Sequence, residues 1–341
     1  MRLRIQLALL GGAGLLCAAL LVEVGLRLGI PAGIPFVVQW GIGDDAVERR
    51  ANQASRETYG SLTFDENGFR AGSRLPYDRT ILFIGDSFTE GRGVSDDDTF
   101  ARATERALRR TGIRVRSLNA GHRGLGAAQE LKVLRRMIAR FSVDAVVVQS
   151  FPMNDLSDNL AYGGFGIENG QLVEYETPQP PLRARVTGTL AQSWLRNLYL
   201  VRMAANALAR GDEPAPYDAP NSFDLERALL SEMVSTVRAH GIAIVVLVIP
   251  TKLVQDVQRH TGALSRQQKM EIQRFERVRT LVEGFGVPWI DAGEVIPDLG
   301  ADAAKSDGAH FSTAGNTLIG EALARQLEPL LQPRTGAAAG P

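Results

Sequence analysis

Short apolar runs, separated by segments with helical stripes of apolar residues, constrain the fold of this chain more than any other feature. The strongest runs are Ile81–Ile84, Val143–Val148 and Ile242–Ile249, and weaker candidates lie at Arg114–Leu118 and Val287–Ile290. Runs that are apolar almost throughout indicate strands covered on both faces. Strands that alternate with helices favour βαβ units. The sequence therefore predicts an α/β fold, a three-layer α/β/α sandwich with a central parallel sheet.

The first run ends abruptly in Gly85-Asp86-Ser87, directly before a segment of helical character. This order places the hydroxyl of Ser87 at the carboxyl end of a buried strand and beside the N-terminus of a helix. Backbone N–H groups and the positive end of the helix dipole gather there, which favours a reaction that builds up negative charge. A serine nucleophile also needs an adjacent base. Asp307 and His310 form a candidate pair for that purpose near the other end of the chain.

Four polar clusters fall at the predicted carboxyl edge of the sheet, where parallel α/β sheets bind ligands. They are Gly85-Asp86-Ser87, Asn119-Ala120-Gly121, Asn154-Asp155 and Asp307–Ser312. Each cluster alone is ordinary turn or helix-start chemistry. Together, and in this order, they resemble the four blocks of the SGNH (GDSL-type) esterase and lipase superfamily. The resemblance spans residues 81–330. A membrane-anchored bacterial subgroup is the most similar, because its lead-in resembles Asn67-Gly68-Phe69-Arg70 here.

The resemblance implies a flavodoxin-like SGNH hydrolase fold and metal-independent ester hydrolysis through an acyl-enzyme on Ser87. His310 would be the general base, and Asp307 would orient its imidazole. The backbone N–H of Ser87, the N–H of Gly121 and the side chain of Asn154 would form the oxyanion hole. We also reason that residue 121 is glycine because a Cβ there would block the approach of the substrate oxygen.

Other residues of the four clusters are expected to have structural roles. Asp86 is expected to tie the nucleophile turn, and Asp155 to organise the loop that carries Asn154. The third block of the family commonly has glycine two residues before the asparagine, where this chain has Pro152. We therefore expect a stiffer loop and a narrower cleft. His122 lies in the second cluster, but nothing in the sequence orients it.

The N-terminal segment predicts a membrane anchor. Arg2 and Arg4 precede an almost unbroken apolar run from Leu7 to Val22. Residues 1–30 are long enough to span a bilayer, which takes roughly 20 residues. The positive-inside rule keeps both arginines in the cytoplasm, so the catalytic domain would lie on the periplasmic side of a bacterial inner membrane. A cleaved signal peptide and a buried core helix are the alternatives.

The remaining chain divides by composition. Within the lead-in, the turn at residues 65–70 carries an aromatic residue expected to anchor it to the domain. A hairpin is predicted around Glu168-Asn169-Gly170, and Trp194 and Tyr199 are expected to be packing residues or to line the cleft. The predicted segments are the anchor at 1–30, a lead-in at 31–76, the SGNH hydrolase domain at 77–332 with an insertion over the active-site edge at 159–220, and a disordered tail at 333–341.

Composition excludes several classes of function. The chain has 38 basic and 38 acidic residues and a formal net charge of +0, so it lacks the basic field that would recruit nucleic acid. The single cysteine, Cys17, allows no intrachain disulfide and no cysteine-based metal site. No glycine-rich phosphate loop follows the first strand, which argues against a nucleotide-binding protein. We expect no cofactor and no metal, and the sequence leaves the oligomeric state open.

The expected partner is a small acyl ester, with an acetyl ester on carbohydrate as the favoured class because of the anchor and the resemblance. An O-acyltransferase acting on a cell-surface polysaccharide would use the same residues if the site excluded water. A catalytically inactive glycan-binding or envelope-assembly module is the non-enzyme alternative. An α/β-hydrolase also places its residues in the order serine, acid and histidine. Its nucleophile lies in Gly-x-Ser-x-Gly, however, and the last position of that motif is Thr89 here.

Overall fold

The computed structural model of the protein describes residues 2–29, 47, 50, 52, 54–57, 60–162, 164–176, 186, 195, 198–209, 222–257 and 262–332. The strands are β1 (Ala54–Glu57), β2 (Gly60–Thr63), β3 (Arg79–Ile84), β4 (Val115–Asn119), β5 (Ala145–Ser150), β6 (Phe165–Glu168), β7 (Gln171–Glu174), β8 (Ala243–Val248) and β9 (Trp289–Asp291). The helices are α1 (Arg2–Gly29), α2 (Ser87–Glu90), α3 (Phe100–Arg110), α4 (Ala127–Arg140), α5 (Asp155–Tyr162), α6 (Tyr199–Ala209), α7 (Ser222–Ala239), α8 (Lys252–Gln255), α9 (Arg266–Gly284), α10 (Ala292–Val295), α11 (Leu299–Ala303) and α12 (Thr313–Leu331).

A parallel sheet of five strands, in the order β4-β3-β5-β8-β9, forms the centre of the fold. The three strong runs of the sequence became β3, β5 and β8, and the two weaker ones became β4 and β9. All six residues of β5 are buried, as expected for a strand covered on both faces. The predicted α/β fold with a central parallel sheet is confirmed.

Alternate residues of the central strands enter two separate cores, one on each side of the sheet. Leu82 and Ile84 of β3 join apolar residues of α4, α7 and α9 in one core. Ile81 and Phe83 join residues of α3 and α12 in the other. This alternation follows from the period of two in a strand. The sheet is therefore the middle of three layers.

The order of the strands creates a crevice at the carboxyl edge of the sheet. β3 is the first strand of the sheet in the chain, β4 is added on one side of it, and β5 then pairs with its other side. In open α/β sheets, ligands bind at such a reversal of strand order. The residues that follow β3 and β5 therefore flank the expected binding position.

The lead-in and the insertion each contain a predicted turn. The side chain of Asp65 accepts hydrogen bonds from the N–H groups of Asn67 and Phe69, and Gly68 has a φ of 81°. Phe69 is buried against Phe141, with ring centroids 5.2 Å apart, so the predicted aromatic anchor is confirmed. In the insertion, β6 and β7 form the predicted hairpin. Trp194 and the tail at 333–341 lie outside the described residues, and the predicted domain boundaries stay predictions.

The chain forms two compact units, Met1–Gly41 with Gln179–Glu213 and Ile42–Pro178 with Pro214–Pro341. In the first unit, the carboxylate of Glu23 in α1 accepts hydrogen bonds from the N–H groups of Tyr199 and Leu200 at the start of α6. The guanidinium of Arg27 lies over the ring of Tyr199, at 5.0 Å. Tyr199 is therefore a packing residue in this unit.

The predicted transmembrane helix is not supported by the described part of the structure. The N-terminal segment is helical over Arg2–Gly29. Among the residues that the structure describes, none of the helices combines the length and the apolar character that crossing a membrane requires. The extracytoplasmic location stays a prediction from the sequence.

Candidate active site

The nucleophile turn is built by the two residues between β3 and α2. The side chain of Asp86 caps α2, because its Oδ1 accepts a hydrogen bond of 2.8 Å from the N–H of Phe88. A Cβ on Gly85 would overlap the side chains of Thr89 and Gln149, so only glycine fits between them. Ser87 is the first residue of α2 and is half-buried. The expectation that Asp86 ties this turn is confirmed.

Ser87, His310 and Asp307 come together although Ser87 and His310 are 223 positions apart in the chain. The Oγ of Ser87 lies 2.8 Å from Nε2 of His310. The Nδ1 of His310 lies 2.9 Å from Oδ2 and 3.1 Å from Oδ1 of Asp307. The sequence placed these three residues at one sheet edge, and the structure brings their side chains into one hydrogen-bonded row.

The carboxylate of Asp307 is charged and firmly held. Burial alone would raise its pKa, but hydrogen bonds and charge attraction from His310 outweigh burial and bring the pKa well below its usual range. Its Oδ1 also accepts hydrogen bonds from the N–H groups of Ala309 and His310. Because a charged carboxylate only accepts hydrogen bonds, Nδ1 of His310 carries a hydrogen and Nε2 is left to accept the proton of Ser87.

Aromatic side chains surround the imidazole of His310. The ring of Phe88 lies 4.7 Å from it, centroid to centroid. Phe88 also packs against Phe151 at 5.0 Å and Phe311 at 4.9 Å. Phe88 follows Ser87 directly, so the residue after the nucleophile also supports the base. This role was not predicted from the sequence, because an apolar residue after Gly-Asp-Ser is equally consistent with core packing.

Asn154 lies beside the nucleophile turn. Its Nδ2 donates a hydrogen bond of 3.3 Å to Oδ2 of Asp86, which is the residue before Ser87. The loop is held by Asp155, whose Oδ2 accepts hydrogen bonds from the N–H of Phe151 and the hydroxyl of Ser150. The expectation that Asp155 organises this loop is confirmed. Asn154 therefore contacts the residue that precedes Ser87.

The expectation for Gly121 needs correction. Its N–H donates a hydrogen bond of 3.0 Å to Oδ1 of Asn119, so this amide is occupied by the protein itself. A Cβ at residue 121 would overlap the backbone of Thr89 and Glu90. Residue 121 is therefore glycine because helix α2 packs against it, and not because a substrate oxygen approaches it. The sequence led us to expect the second reason, since Asn-x-Gly does not indicate which group lies close to the glycine.

The C-terminal end of helix α2 is held by two buried charged residues, Arg70 and Glu90, for which the sequence predicted no role. The guanidinium of Arg70 donates to the backbone oxygens of Glu90, Gly91 and Val94. The carboxylate of Glu90 pairs with two other arginines in turn, at 3.0 and 2.7 Å. A helix of one turn has little stability of its own. These contacts therefore fix the helix that carries Ser87.

Two other histidines lie in the described part of the chain, and neither contacts Ser87 as a base. His122 is buried, and its Nδ1 lies 2.8 Å from the backbone oxygen of Arg123. Burial, together with the charge of Arg50, lowers the pKa of His122 to about 4, so it is neutral near pH 7. His240 is exposed, and its Nδ1 contacts the backbone oxygen of Thr236. His260 lies outside the described residues.

A cluster of buried acidic residues lies behind the Asn154 loop. Burial and mutual repulsion raise the pKa of Glu130 and Asp155 well above the usual values. Burial raises the pKa of Glu226 to about 7, although hydrogen bonds from Asn159 and Ser150 oppose the rise. Within the part of the chain that the structure describes, no group of three or more histidine, cysteine or acidic side chains could hold a metal ion. Burial therefore favours the protonated form of these carboxyl groups.

Because of this buried cluster, we expect the free energy of unfolding to fall as the pH rises. Below about pH 4.5, Glu226 is protonated whether the chain is folded or unfolded. Between 4.5 and about 7 the unfolded chain releases this proton and the folded protein keeps it, so the free energy of unfolding falls. Above that range, both states are ionised and the loss is complete. Urea unfolding of wild type and Glu226→Gln at a series of pH values should show a smaller fall for the variant, by up to about 3 kcal/mol.

Two outcomes separate this prediction from a general effect of pH. Exposed Glu321 pairs with Arg110 at the surface, and Glu321→Gln should leave the pH dependence of unfolding as in wild type. Equal pH dependence in wild type and Glu226→Gln would contradict the assignment of a retained proton to Glu226.

The comparison with known families decides the classification. The family model described as GDSL-like Lipase/Acylhydrolase matches residues 83–318, which is more than half of the chain and includes Ser87, Asp307 and His310. The chain belongs to the GDSL-like lipase/acylhydrolase family. The predicted membership in this family is confirmed, whereas the membrane-anchored subgroup is not shown. A comparison with curated proteins finds no match.

Solved structures with similarity to this GDSL-like chain include several esterases. A lipase/acylhydrolase from Enterococcus faecalis is 18% identical, with a TM-score of 0.44, and the alignment covers 76% of this chain and 100% of that one. A mutant acetyl-xylooligosaccharide esterase from Geobacillus Stearmophilus is 16% identical, with a TM-score of 0.42 and coverage of 75% and 96%. The inhibitor-bound aryl esterase of M. Smegmatis is 14% identical, with a TM-score of 0.38 and coverage of 74% and 100%.

Proposed function

We propose that this protein is a serine esterase that hydrolyses an acyl ester through a covalent acyl-enzyme on Ser87. The proposal is carried by one observation, the row in which Ser87 Oγ, the imidazole of His310 and the carboxylate of Asp307 follow each other at 2.8 and 2.9 Å. Membership in the GDSL-like lipase/acylhydrolase family supports the same reaction class. The spacing is that of a nucleophile, its general base and the acid that orients the base.

The proposed reaction has two steps. Nε2 of His310 takes the proton of Ser87 as Oγ attacks the carbonyl carbon of the ester, and the electrons of the carbonyl double bond move to its oxygen. The tetrahedral intermediate collapses, the bond to the alcohol oxygen breaks, and His310 returns the proton to the leaving alcohol. Water then attacks the acyl-enzyme in the same manner, so the acid is released and the hydroxyl of Ser87 is restored.

Donors for the oxyanion are proposed from the hydrogen-bond pattern around Ser87. The N–H of Ser87 lies at the start of α2, and the amide of Asn154 adjoins the turn through Asp86. In the loop after β4, the N–H groups of Ala120, Gly121, His122, Leu125 and Gly126 donate to other protein groups. We propose the N–H of Gly124, which has a φ of 81°, as the third donor in place of Gly121.

Asn154→Ala is expected to lower kcat by about 10²-fold, with little change in KM, because an oxyanion donor acts mainly in the transition state. Steady-state hydrolysis of p-nitrophenyl acetate measures both constants. Asn159→Ala is an unsuitable control because Asn159 bonds Glu226 in the buried acidic cluster. Asn67, whose side chain bonds Glu66 and Arg140, is the better one, and Asn67→Ala should retain wild-type kcat. A rise in KM with unchanged kcat in Asn154→Ala would contradict the role of oxyanion donor.

The proposed substrate is a small acyl ester, and an acetyl ester on carbohydrate is the proposed class. The aromatic rings of Phe88 and Phe151 next to His310 offer apolar contact to a short acyl group. The carbohydrate part rests on the resemblance noted in the sequence. Purified protein incubated with acetylated oligosaccharide should release free acetate, detected enzymatically, and Ser87→Ala should release none above background.

The same incubation separates hydrolysis from transfer. Adding an unmodified oligosaccharide as acceptor and recording mass spectra should show no gain of acetyl groups on it if the protein is an esterase. Acetylated acceptor without free acetate would indicate the acyltransferase alternative. Absence of both products with every ester tested, together with no loss in Ser87→Ala, would favour an inactive binding module.

A further inference from the structure

We propose that Arg92 is a positioning residue that acts through Asp307 and keeps His310 available as a base at mildly acidic pH. The inference rests on the proposed function, because it assigns His310 the role of base. Arg92 lies just beyond the nucleophile helix, in Glu90-Gly91-Arg92-Gly93, and was not among the residues that the sequence analysis selected.

Arg92 shares the acid of the row with His310. Its Nε lies 3.2 Å from Oδ2 of Asp307, and the same oxygen lies 2.9 Å from Nδ1 of His310. The side chain of Asp307 is 11% exposed, whereas that of Arg92 is 47% exposed. The same carboxylate oxygen therefore contacts an exposed guanidinium and a buried imidazole.

The position of Arg92 is built into the loop after α2. Gly91 and Gly93 on either side of it have φ angles of 77° and 85°, which favour glycine. The N–H of Arg92 donates a hydrogen bond of 3.0 Å to the backbone oxygen of Ser87. A Cβ on Gly93 would overlap the hydroxyl of Ser306, the residue before Asp307. The loop that carries Arg92 thus packs directly on the loop that carries the acid.

Arg92 contributes charge more than orientation. Oδ1 of Asp307 already accepts hydrogen bonds from two backbone N–H groups, those of Ala309 and His310, at 3.0 and 2.9 Å. These bonds hold the carboxylate without Arg92. What the guanidinium adds is a permanent positive charge, because arginine stays protonated at every pH of interest.

Two acidic groups also interact electrostatically with His310. Asp307 and Asp86 are the acidic groups whose charges act on His310. Asp86 is fully buried, and burial raises its pKa, although hydrogen bonds from Phe88 and Asn154 oppose the rise. Arg92 is the cation seen in contact with the row on the described residues. Both acids favour a charged imidazole, and Arg92 opposes them.

The sign of the effect follows from these charges. A positive charge beside Asp307 weakens the pull of that carboxylate on a protonated imidazole, and it also repels the imidazolium directly. Arg92 therefore disfavours the charged form of the imidazole. Loss of the charge in Arg92→Gln moves the acid limb of kcat/KM to higher pH, by about half a pH unit for a partly exposed charge.

The test compares wild type, Arg92→Gln and Arg92→Lys as the full chain. Hydrolysis of p-nitrophenyl acetate is followed across the pH range, and the titration of His310 is followed by NMR with ¹⁵N-labelled histidine. Arg92→Gln is expected to shift both midpoints upward, with kcat at the high-pH plateau within about threefold of wild type. Arg92→Lys, which keeps the charge, is expected to restore the wild-type midpoints. High salt should reduce the difference between wild type and Arg92→Gln.

A matched control is Arg110→Gln, because Arg110 is an exposed arginine that forms an ion pair with Glu321 away from the site. Its midpoints should equal those of wild type. Equal midpoints in wild type and Arg92→Gln, or equal shifts in Arg92→Gln and Arg92→Lys, would overturn the inference. The NMR midpoint does not need activity. Absence of hydrolysis in wild type therefore speaks against the proposed function, and the titration still decides the role of Arg92.

Discussion

Ser87→Ala is expected to lower kcat for ester hydrolysis by about 10⁴-fold or more, because no other group can take the acyl group in the proposed reaction. The hydroxyl of Ser87 lies 2.8 Å from Nε2 of His310, so its removal leaves the base without a nucleophile to activate. Removing one half-buried oxygen leaves the hydrogen bonds of the nucleophile turn in place. The free energy of unfolding should therefore change by less than about 1 kcal/mol.

Hydrolysis of p-nitrophenyl acetate and urea unfolding, measured on the same samples, separate these two effects. Ser231→Ala provides the matched control, since Ser231 is exposed and its hydroxyl only donates to the backbone oxygen of Arg227 in its own helix. It should keep wild-type kcat. Substantial hydrolysis by a folded Ser87→Ala protein would mean that another group attacks the ester.

Asp307→Asn is expected to lower kcat by about 10³–10⁴-fold. The charged carboxylate of Asp307 accepts the hydrogen of His310 Nδ1 and stabilises the imidazolium that forms during the reaction. An amide in its place can present N–H to Nδ1, which favours the tautomer that carries its hydrogen on Nε2. That tautomer cannot take a proton from Ser87. Because the pKa of Asp307 is low, this carboxylate stays charged in wild type throughout the pH range of the assay.

The pH profile of Asp307→Asn distinguishes a tautomer effect from misfolding. Near-ultraviolet circular dichroism should match wild type, while kcat stays low at neutral pH and rises at alkaline pH, where hydroxide replaces the missing base. Asp298→Asn is the control, because Asp298 caps α11 and pairs with Lys252 outside the row. A loss of less than about tenfold in Asp307→Asn would show that the acid is not needed for the base to act.

The sequence predicted the parts of this protein that depend on a repeated local pattern. Strands such as Ala145–Ser150 are apolar on both faces, and this property alone requires two covering layers of helices. The meeting of Ser87 and His310 was also predictable, because both follow strand ends or precede a helix at the carboxyl edge of a parallel sheet. The carboxyl ends of parallel strands meet at one edge of the sheet, so residues at these ends lie close together even when they are far apart in the chain.

Contacts between loops were not predictable in the same way. The amide of Gly121 is taken by Asn119, and the nearest groups to its missing Cβ belong to helix α2. Asn-x-Gly has the same letters whether it faces a ligand or a helix. Arg70 is a similar case, because its guanidinium binds backbone oxygens, which no sequence pattern specifies. Every residue has the same backbone oxygen, so the sequence does not show which residue accepts such a hydrogen bond.

The buried acidic cluster has a related explanation. Glu130 and Glu226 occupy helices whose other residues follow ordinary apolar stripes, and a charged residue in such a stripe is usually exposed. Here both are buried, and Glu226 is bonded to Asn159. Only the packing of α4, α5 and α7 against one another reveals that these positions face inward.

Covalent labelling tests the central claim most directly. The full chain is treated with a fluorophosphonate, which phosphonylates activated serines, and the modified peptide is located by tandem mass spectrometry in wild type, Ser87→Ala and His310→Ala. The account predicts a single modification on Ser87 in wild type, none in Ser87→Ala, and labelling slowed by several orders of magnitude in His310→Ala. Modification of a different residue in wild type, or undiminished labelling of Ser87→Ala, would contradict it.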